Sequence, residues 1–390
     1  MKFQKSMWGV VATAAVFTGS TQAVTLGKID NTTVSLGGYI KLDAMSTDYS
    51  DGTLASGNIA RDFYIPALTP VGGESENRQF DMHARQTRFN LTTVTDLGDS
   101  SLKTFVEMDF MATPNGDERI SNSYSPRLRH AFMQYNGWLL GQTWSTFQNT
   151  GALPETADFI GNTDFGIFVR QAQVRYTAGG FQVSIENPET TITPFSGGDR
   201  IVADDNQLPD FVLRYNLKAG GFDIAFAGLA RELAYNNTGS GGTIDSTTTS
   251  VGVSVSGKWT FGNKDDIRFG VNAGSGMGRY IGLNVANGAV LDSEGDLQAI
   301  DSTAYYLAYR HLWNAQWRSN ITYSTIAIDN DVELVGDAAT KMTDSARLNL
   351  FYSPVPAYTV GAEVAVANRE LENDLSGTMT RLQFTAKMAF

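Results

Sequence analysis

The chain has 390 residues, with 29 Lys and Arg against 41 Asp and Glu, a formal net charge of −12, and no cysteine. The acidic balance argues against nucleic acid as a partner, and the lack of cysteine rules out disulfides as a source of stability. Hydrophobic residues make up 42% and aromatics 11%, yet after the first 23 residues no apolar run reaches 18, so no helix is expected to cross a bilayer.

Residues 1–23 have the layout of a secretory signal peptide. Lys2 and Lys5 form a positive start, MWGVVATAAVF (Met7 to Phe17) a short apolar stretch, and Thr21-Gln22-Ala23 a small-residue end. Eleven apolar residues are too few for a membrane helix. The mature chain is expected to begin near Val24; loss of Lys2 and Lys5 leaves 27 basic against 41 acidic residues, a net of −14. No linker, Pro-rich stretch or composition shift divides residues 24–390, which read as one domain.

From there the chain is a series of segments with a period of two. RFNLTTV sets Phe89 and Leu91 against Arg88, Asn90 and Thr92. LKTFVEMDF sets Leu102, Thr104, Val106, Met108 and Phe110 against Lys103, Phe105, Glu107 and Asp109. DFVLRYNLK sets Phe211, Leu213, Tyr215 and Leu217 against Val212, Arg214 and Asn216. IRFGVNA, WRSNITYST and ARLNLFY repeat the scheme, with Arg268, Arg318 and Arg347 on the polar side. The last ten residues, RLQFTAKMAF, place Leu382, Phe384, Ala386, Met388 and Phe390 on one face and Arg381, Gln383, Thr385 and Lys387 on the other. A period of two is the β-strand period. Segments of about ten such residues separated by turns are the signature of a transmembrane β-barrel.

Connections alternate in length. Short ones fall at Asp96 to Asp99, Asn136-Gly137, Ala178 to Gly180, Ala219 to Gly221, Gly262 to Asp266, Trp313 to Ala315 and Pro354 to Ala357. Long, polar ones are read at 48–80, 113–124, 148–166, 189–208, 233–247, 276–300, 328–343 and 370–377. Tight periplasmic turns alternating with long external loops are what an outer-membrane barrel requires. Fifteen connections join about 16 strands, with both termini periplasmic. The fold class expected is therefore all-β, a transmembrane antiparallel barrel in a Gram-negative outer membrane. In hydrocarbon every backbone amide must pair, so the final strand is expected to close on the first, near Val34 to Tyr39. A secreted β-sandwich is the competitor, and the strict alternation of connections argues against it.

A barrel of this size leaves an aqueous channel. Its polar register repeatedly carries Arg (Arg88, Arg175, Arg214, Arg268, Arg318, Arg347), four of them in Arg-x-Asn. Inward acids such as Glu107, Asp109 and Glu363 are fewer. Basic lining suits anions, and the guanidinium fork suits carboxylates. For each Arg the alternative is a wall residue paired with a neighbouring carboxylate.

One stretch, RLRHAFMQYNGWLLGQTWSTFQNTGALPETADFIGNTDFGIFVRQAQVRY (Arg127 to Tyr176), is distinctive. Through Arg129-His130-Ala131, Tyr135 to Trp138, Gly141-Gln142-Thr143, Pro154-Glu155 with Asp158-Phe159, and Gln173 to Tyr176, it resembles the DcaP-like family of trimeric outer-membrane porins. The resemblance implies a 16-stranded homotrimer that takes up small anions, particularly dicarboxylates. It also implies that the C-terminal Phe390 is shown to the barrel-assembly machinery. Some members carry a helical extension before the barrel; here Val24 to Asn31 leads directly into a strand, so any coiled-coil contribution to assembly is in question. In general porins the third external loop folds inward. Here that loop, residues 148–166, holds Pro154, Phe159 and the acids Glu155, Asp158 and Asp164, and is expected to narrow the channel, its acids facing basic wall residues across the gap. Arg129 and Arg175, on strands flanking the loop, are the first pore-lining candidates; Arg85, Arg88, Arg214 and Arg318 follow.

The rival functions are a barrel hydrolase and a non-conducting structural barrel. His83, His130 and His311 lie in no nucleophile motif, and no Cys/His cluster offers zinc a site. No catalytic residue, cofactor or resident metal is expected, although Asp204-Asp205 and Asp329 to Asp331 carry oxygen ligands of the type calcium uses. The expected partners are small anionic solutes and outer-membrane lipid.

Overall fold

The computed structural model describes residues 23–113, 122–239 and 242–390. The expected signal peptide, Ala23 excepted, and the centre of the second external connection lie outside the described residues. Among the described residues, sixteen strands close into an antiparallel barrel. They are β1 (Thr32–Tyr49), β2 (in two pieces, Gln79–His83 and Arg88–Asp96), β3 (Ser101–Asp109), β4 (Arg127–Tyr135), β5 (Trp138–Trp144), β6 (Arg170–Ala178), β7 (Phe181–Glu186), β8 (Asp210–Ala219), β9 (Phe222–Gly239), β10 (Gly242–Phe261), β11 (Asp265–Ser275), β12 (Asp301–Leu312), β13 (Trp317–Asp329), β14 (Thr340–Val355), β15 (Tyr358–Leu371) and β16 (Ser376–Ala389). Each pairs with its chain neighbours. The ring closes where β16 pairs with β1 from Tyr39↔Ala389 to Tyr49↔Met379. The terminal Phe390 exchanges backbone hydrogen bonds with Gly38, both 3.1 Å.

The alternation explains why these residues are strands. In β12, Tyr305, Leu307 and Tyr309 point out and are exposed, while Ala304, Tyr306 and Ala308 are buried within the ring. An exterior of exposed Leu, Val, Ile, Phe and Tyr is the reverse of a soluble protein's surface and matches a lipid-facing wall. At the short-turn end, aromatic rings gather along the rim. Phe222 stacks on Trp259 (5.3 Å), Trp317 on Tyr352 (4.5 Å), and Trp138 and Tyr176 meet at 4.8 Å. Such rings suit a membrane interface.

The Asn136-Gly137 turn has φ of 45° and 86°, both in the left-handed region that a type I′ hairpin needs. Upstream of β1, Val24–Ile29 is itself a strand, paired with the start of β1 below the seam. The two pieces of β2 lie on the same edge of β1, and residues 84–87 interrupt them.

The fifth external connection departs from expectation. Residues 233–247, polar and Gly-containing, read as a loop in the sequence. Instead β9 and β10 run on as paired strands as far as Gly239↔Gly242. The reason is tertiary. A small sheet from the fourth and sixth external loops (Thr190–Thr193, Ile201–Ala203, Ala289–Leu291, Leu297–Ala299) packs Ile192, Ala203, Ala289, Leu291 and Leu297 around Leu233. This apolar core gives the extended hairpin a surface to fold against.

Leu307 lies mid-strand on the outer face. Leu307→Arg is expected to destabilise the inserted barrel by about 2–4 kcal/mol, the midplane cost of a lipid-facing Arg, read from denaturant unfolding in vesicles.

Candidate functional site

Irregular backbone inside a barrel lacks ladder partners and must find them on the wall. The third external loop, residues 145–169, does so along much of the ring. It leaves β5 with the Thr146 N–H bound to Glu186 (2.7 Å) and makes one 3₁₀ turn, Thr150–Ala152, capped by the Asn149 side chain. Its carbonyls then accept from inward side chains in turn. Gln148 accepts from Arg214 of β8 (2.7 Å), Ala152 from Tyr306 of β12 (2.5 Å), and Leu153 from Arg268 of β11. Glu155 O accepts from Asn349 of β14 (2.9 Å). Ala157 O accepts from Lys41 of β1 (2.8 Å) and Gln383 of β16 (3.0 Å). On the return, Gly161 O accepts from Arg347 (2.7 Å) and Phe165 O from Asn272 (3.1 Å). The Glu363 carboxylate accepts from the Ala157 and Asp158 N–H groups (2.9 and 3.3 Å).

The loop's acids are bound to the wall and to the first external loop, which differs from the expectation that they look across open lumen. Glu155 takes both arms of Arg318, at 2.8 and 2.6 Å. Asp164 is fully buried and accepts four hydroxyls, from Tyr64, Thr343, Ser324 and Ser345. Asp158 accepts the Tyr64 N–H (3.0 Å) and lies 3.9 Å from Arg381. Burial pushes the Asp158 carboxyl up, but Arg347, Arg381 and the N–H groups of Tyr64 and Ile160 outweigh it. The group sits below its ordinary value of 3.8. The first external loop thus enters the barrel as well. Its Phe63 packs with Phe159, Ile160 and Met111, an arrangement that polar, Gly-rich residues 48–80 did not announce.

On β2 to β6 the cations are differently placed. Arg129 is 1% exposed, held by Glu107 (2.8 Å) and Asp109 (2.9 Å), with the faces of Trp144 and Phe159 near it. Arg88 lies 3.5 Å from Glu107 and near the Tyr39 ring. Arg85 pairs with Asp62 and covers Tyr124 at 3.8 Å. Arg127, not singled out in the sequence, binds Asp109 (2.9 Å). Arg170, also missed, has Trp144 at 4.5 Å and Phe168 at 5.1 Å but, among the described residues, no carboxylate within ion-pair distance.

Arg175 and Arg214, two of the sequence candidates, carry no ion pair among the described residues; they bind Gln173 and Trp144 O, and Asn216 and Gln148 O. The Asn216 contact (2.8 Å) shows what one Arg-x-Asn is for: the amide steadies the guanidinium two residues away. Half-buried Lys103, Lys258 and Lys387 share the inner face near the periplasmic turns, also without a described carboxylate in ion-pair range. All three lie in the polar register of alternating segments, a signal that attention to Arg alone passed over. Two inward acids at this end are matched, Asp266 by Arg268 (2.7 Å) and Arg310 (2.6 Å) and Asp223 by Lys218 (3.4 Å), while Asp96 at the end of β2 is exposed and accepts the Gly98 N–H. Among the described residues no cluster of three or more His, Cys, Asp or Glu could hold a metal ion.

A family model described as DcaP outer membrane protein matches residues 18–390. The chain belongs to this family. Among solved structures, the outer membrane channel DcaP of Acinetobacter baumannii superposes with a TM-score of 0.74 at 21% identity, covering 94% of this chain and 99% of that one. OmpT of Vibrio cholerae, an outer membrane protein, gives 0.57 at 15% identity over 94% and 100%. An anion-selective porin from Comamonas acidovorans gives 0.56 at 11% identity over 92% and 100%. No curated protein sequence matches the chain. Family and fold together make it an outer-membrane barrel of the porin type.

A carboxylate with a lowered pKa supports the docked loop at any pH above about 4 and stops doing so only as pH falls through the lowered value. The loop is therefore expected to stay seated from neutral pH down to about pH 4 and to loosen below it. Asp158→Asn is expected to loosen it already at pH 7, at a cost on the order of 3 kcal/mol for a broken buried pair. Hydrogen exchange of residues 155–165 against pH checks both.

Proposed function

We propose that the protein is a passive channel for small hydrophilic solutes that prefers anions, dicarboxylates among them, and works as a homotrimer. The observation carrying this reading is the charge on the inner wall near the periplasmic turns. Among the described residues, Lys103, Arg175, Arg214, Lys258 and Lys387 face inward without a carboxylate in ion-pair range, while the inward Asp223 and Asp266 at that end are neutralised by Lys or Arg. A lumen of one sign bounded by low-dielectric walls concentrates the opposite ion.

The third loop is the constriction in this reading. Seated against β8 to β16 and β1, it leaves passage beside the arc of Arg85, Arg127, Arg129 and Arg170. Among the described residues Arg170 is the guanidinium of the arc without an ion pair, and the aromatic rings around it lower the local dielectric and strengthen its attraction for a carboxylate. Arg318, Arg268 and Arg347 serve as anchors of the loop and contact cargo little. The anion-selective Comamonas porin and the Acinetobacter DcaP channel share this architecture and lend support. Dicarboxylates and the trimer come from the family resemblance. Phe390, bound at the seam, is the end that the assembly machinery would read, and the apolar exterior meets lipid.

In a salt gradient across a planar bilayer, the purified protein is expected to give a reversal potential of anionic sign. Lys103→Glu/Lys258→Glu/Lys387→Glu is expected to move it toward cation selectivity. A cation-selective wild type would refute the proposal.

A further inference from the structure

The charge along the channel axis is not uniform. Among the described residues, the first, fourth, sixth, seventh and eighth external connections (50–78, 187–209, 276–300, 330–339 and 372–375) hold sixteen Asp and Glu against four Arg and no Lys. Most of the acids are exposed, including Glu74, Asp204, Glu294, Asp296, Glu333 and Asp337. The opposite end of the lumen carries the five unmatched cations. An acidic crown and a basic vestibule thus lie in series, separated by the seated third loop.

We propose that the protein rectifies ion current at low ionic strength, acting as a charge-asymmetric pore in which the acidic crown and the basic vestibule collect opposite mobile ions. The inference rests on the channel reading above and adds a direction to it. At about 0.01 M salt the screening length is about 30 Å, comparable to the roughly 30 Å hydrocarbon core. Each fixed-charge zone then spans its half of the path. Cations collect in the crown and anions in the vestibule. A potential positive on the external side drives external cations inward through the crown and periplasmic anions outward through the vestibule. Both zones feed the middle, ions accumulate there, and conductance rises. The opposite polarity draws each ion away from the middle, which empties. In about 1 M salt the screening length falls to about 3 Å and the asymmetry disappears.

A dianion arriving from outside must also pass the crown before it meets an attractive surface. Entry from a dilute medium is then slowed by like charge, and added inert salt relieves this by screening. A simple basic pore behaves in the opposite way, because salt weakens its attraction for the solute.

The test uses the full barrel in planar bilayers, single channels, symmetric KCl. The chain contains no cysteine, so Glu294→Cys with a membrane-impermeant thiol reagent reports which chamber the crown faces. The expected result in about 0.03 M KCl is a current roughly twofold larger with the crown side positive than with it negative, and a ratio of one in about 1 M KCl. Crown neutralisation, Glu74→Gln/Glu294→Gln/Asp337→Asn, and vestibule neutralisation, Lys103→Gln/Lys258→Gln/Lys387→Gln, should each bring the low-salt ratio closer to one. Only the second should also weaken anion selectivity. A linear current–voltage curve at low salt, rectification of the opposite sign, or a ratio unmoved by both sets overturns the inference. If anion selectivity persists in that case, the channel reading stands alone; a protein that opens no pores ends both.

Discussion

The unpaired peptide group governs this structure at two levels. At the membrane, hydrocarbon offers no partner to an amide, so the sheet has to close, and the β1–β16 seam with Phe390 bound to Gly38 is where it does. Within the ring the same requirement recurs for the third loop, whose irregular backbone cannot join a ladder. Inward Arg, Lys, Asn, Gln and Tyr side chains take the place of the missing strand and donate to its carbonyls one after another. The lumen's shape follows from where those donors stand.

This gives the arginines two unlike duties. A guanidinium has five donors in a fixed fork, enough to satisfy a loop carbonyl and a neighbouring carboxylate together. Arg268 does both, with Leu153 O and Asp266, and Arg318 holds Glu155 with both arms. Such groups spend their hydrogen-bonding capacity on the protein. Charge available to a solute comes from cations without a carboxylate in range, and these are as often Lys as Arg. A count of inward arginines therefore measures how firmly the loop is tied down as much as how the pore selects.

The interior also explains why external loops differ in order. The first loop sends Tyr64 and Phe63 down to the third, where Tyr64 donates to Asp164 and Phe63 packs on Phe159. The fourth and sixth build a sheet of their own against the extended β9–β10 hairpin. Exposed acids such as Glu294, Glu333 and Asp337 are left on the external loops above these packed elements.

Period-two alternation, the Asn136-Gly137 turn and the switching of short and long connections were enough, read from residues alone, to establish an all-β barrel of 16 strands, its seam and its membrane. Each of these depends on local chemistry: side chains alternate on a strand, and positive φ selects Asn and Gly. The family was legible as well, in the stretch from Arg127 to Tyr176. What only the folded chain decided is who meets whom across the ring. Arg214 and Gln148 are 66 residues apart, Glu155 and Arg318 are 163 apart, and no periodicity couples them. The fate of each charge, spent on a loop or left facing water, was settled there. So was the fate of residues 233–247, which are polar enough for a loop yet stay in the sheet because a distant apolar core gave them something to pack on.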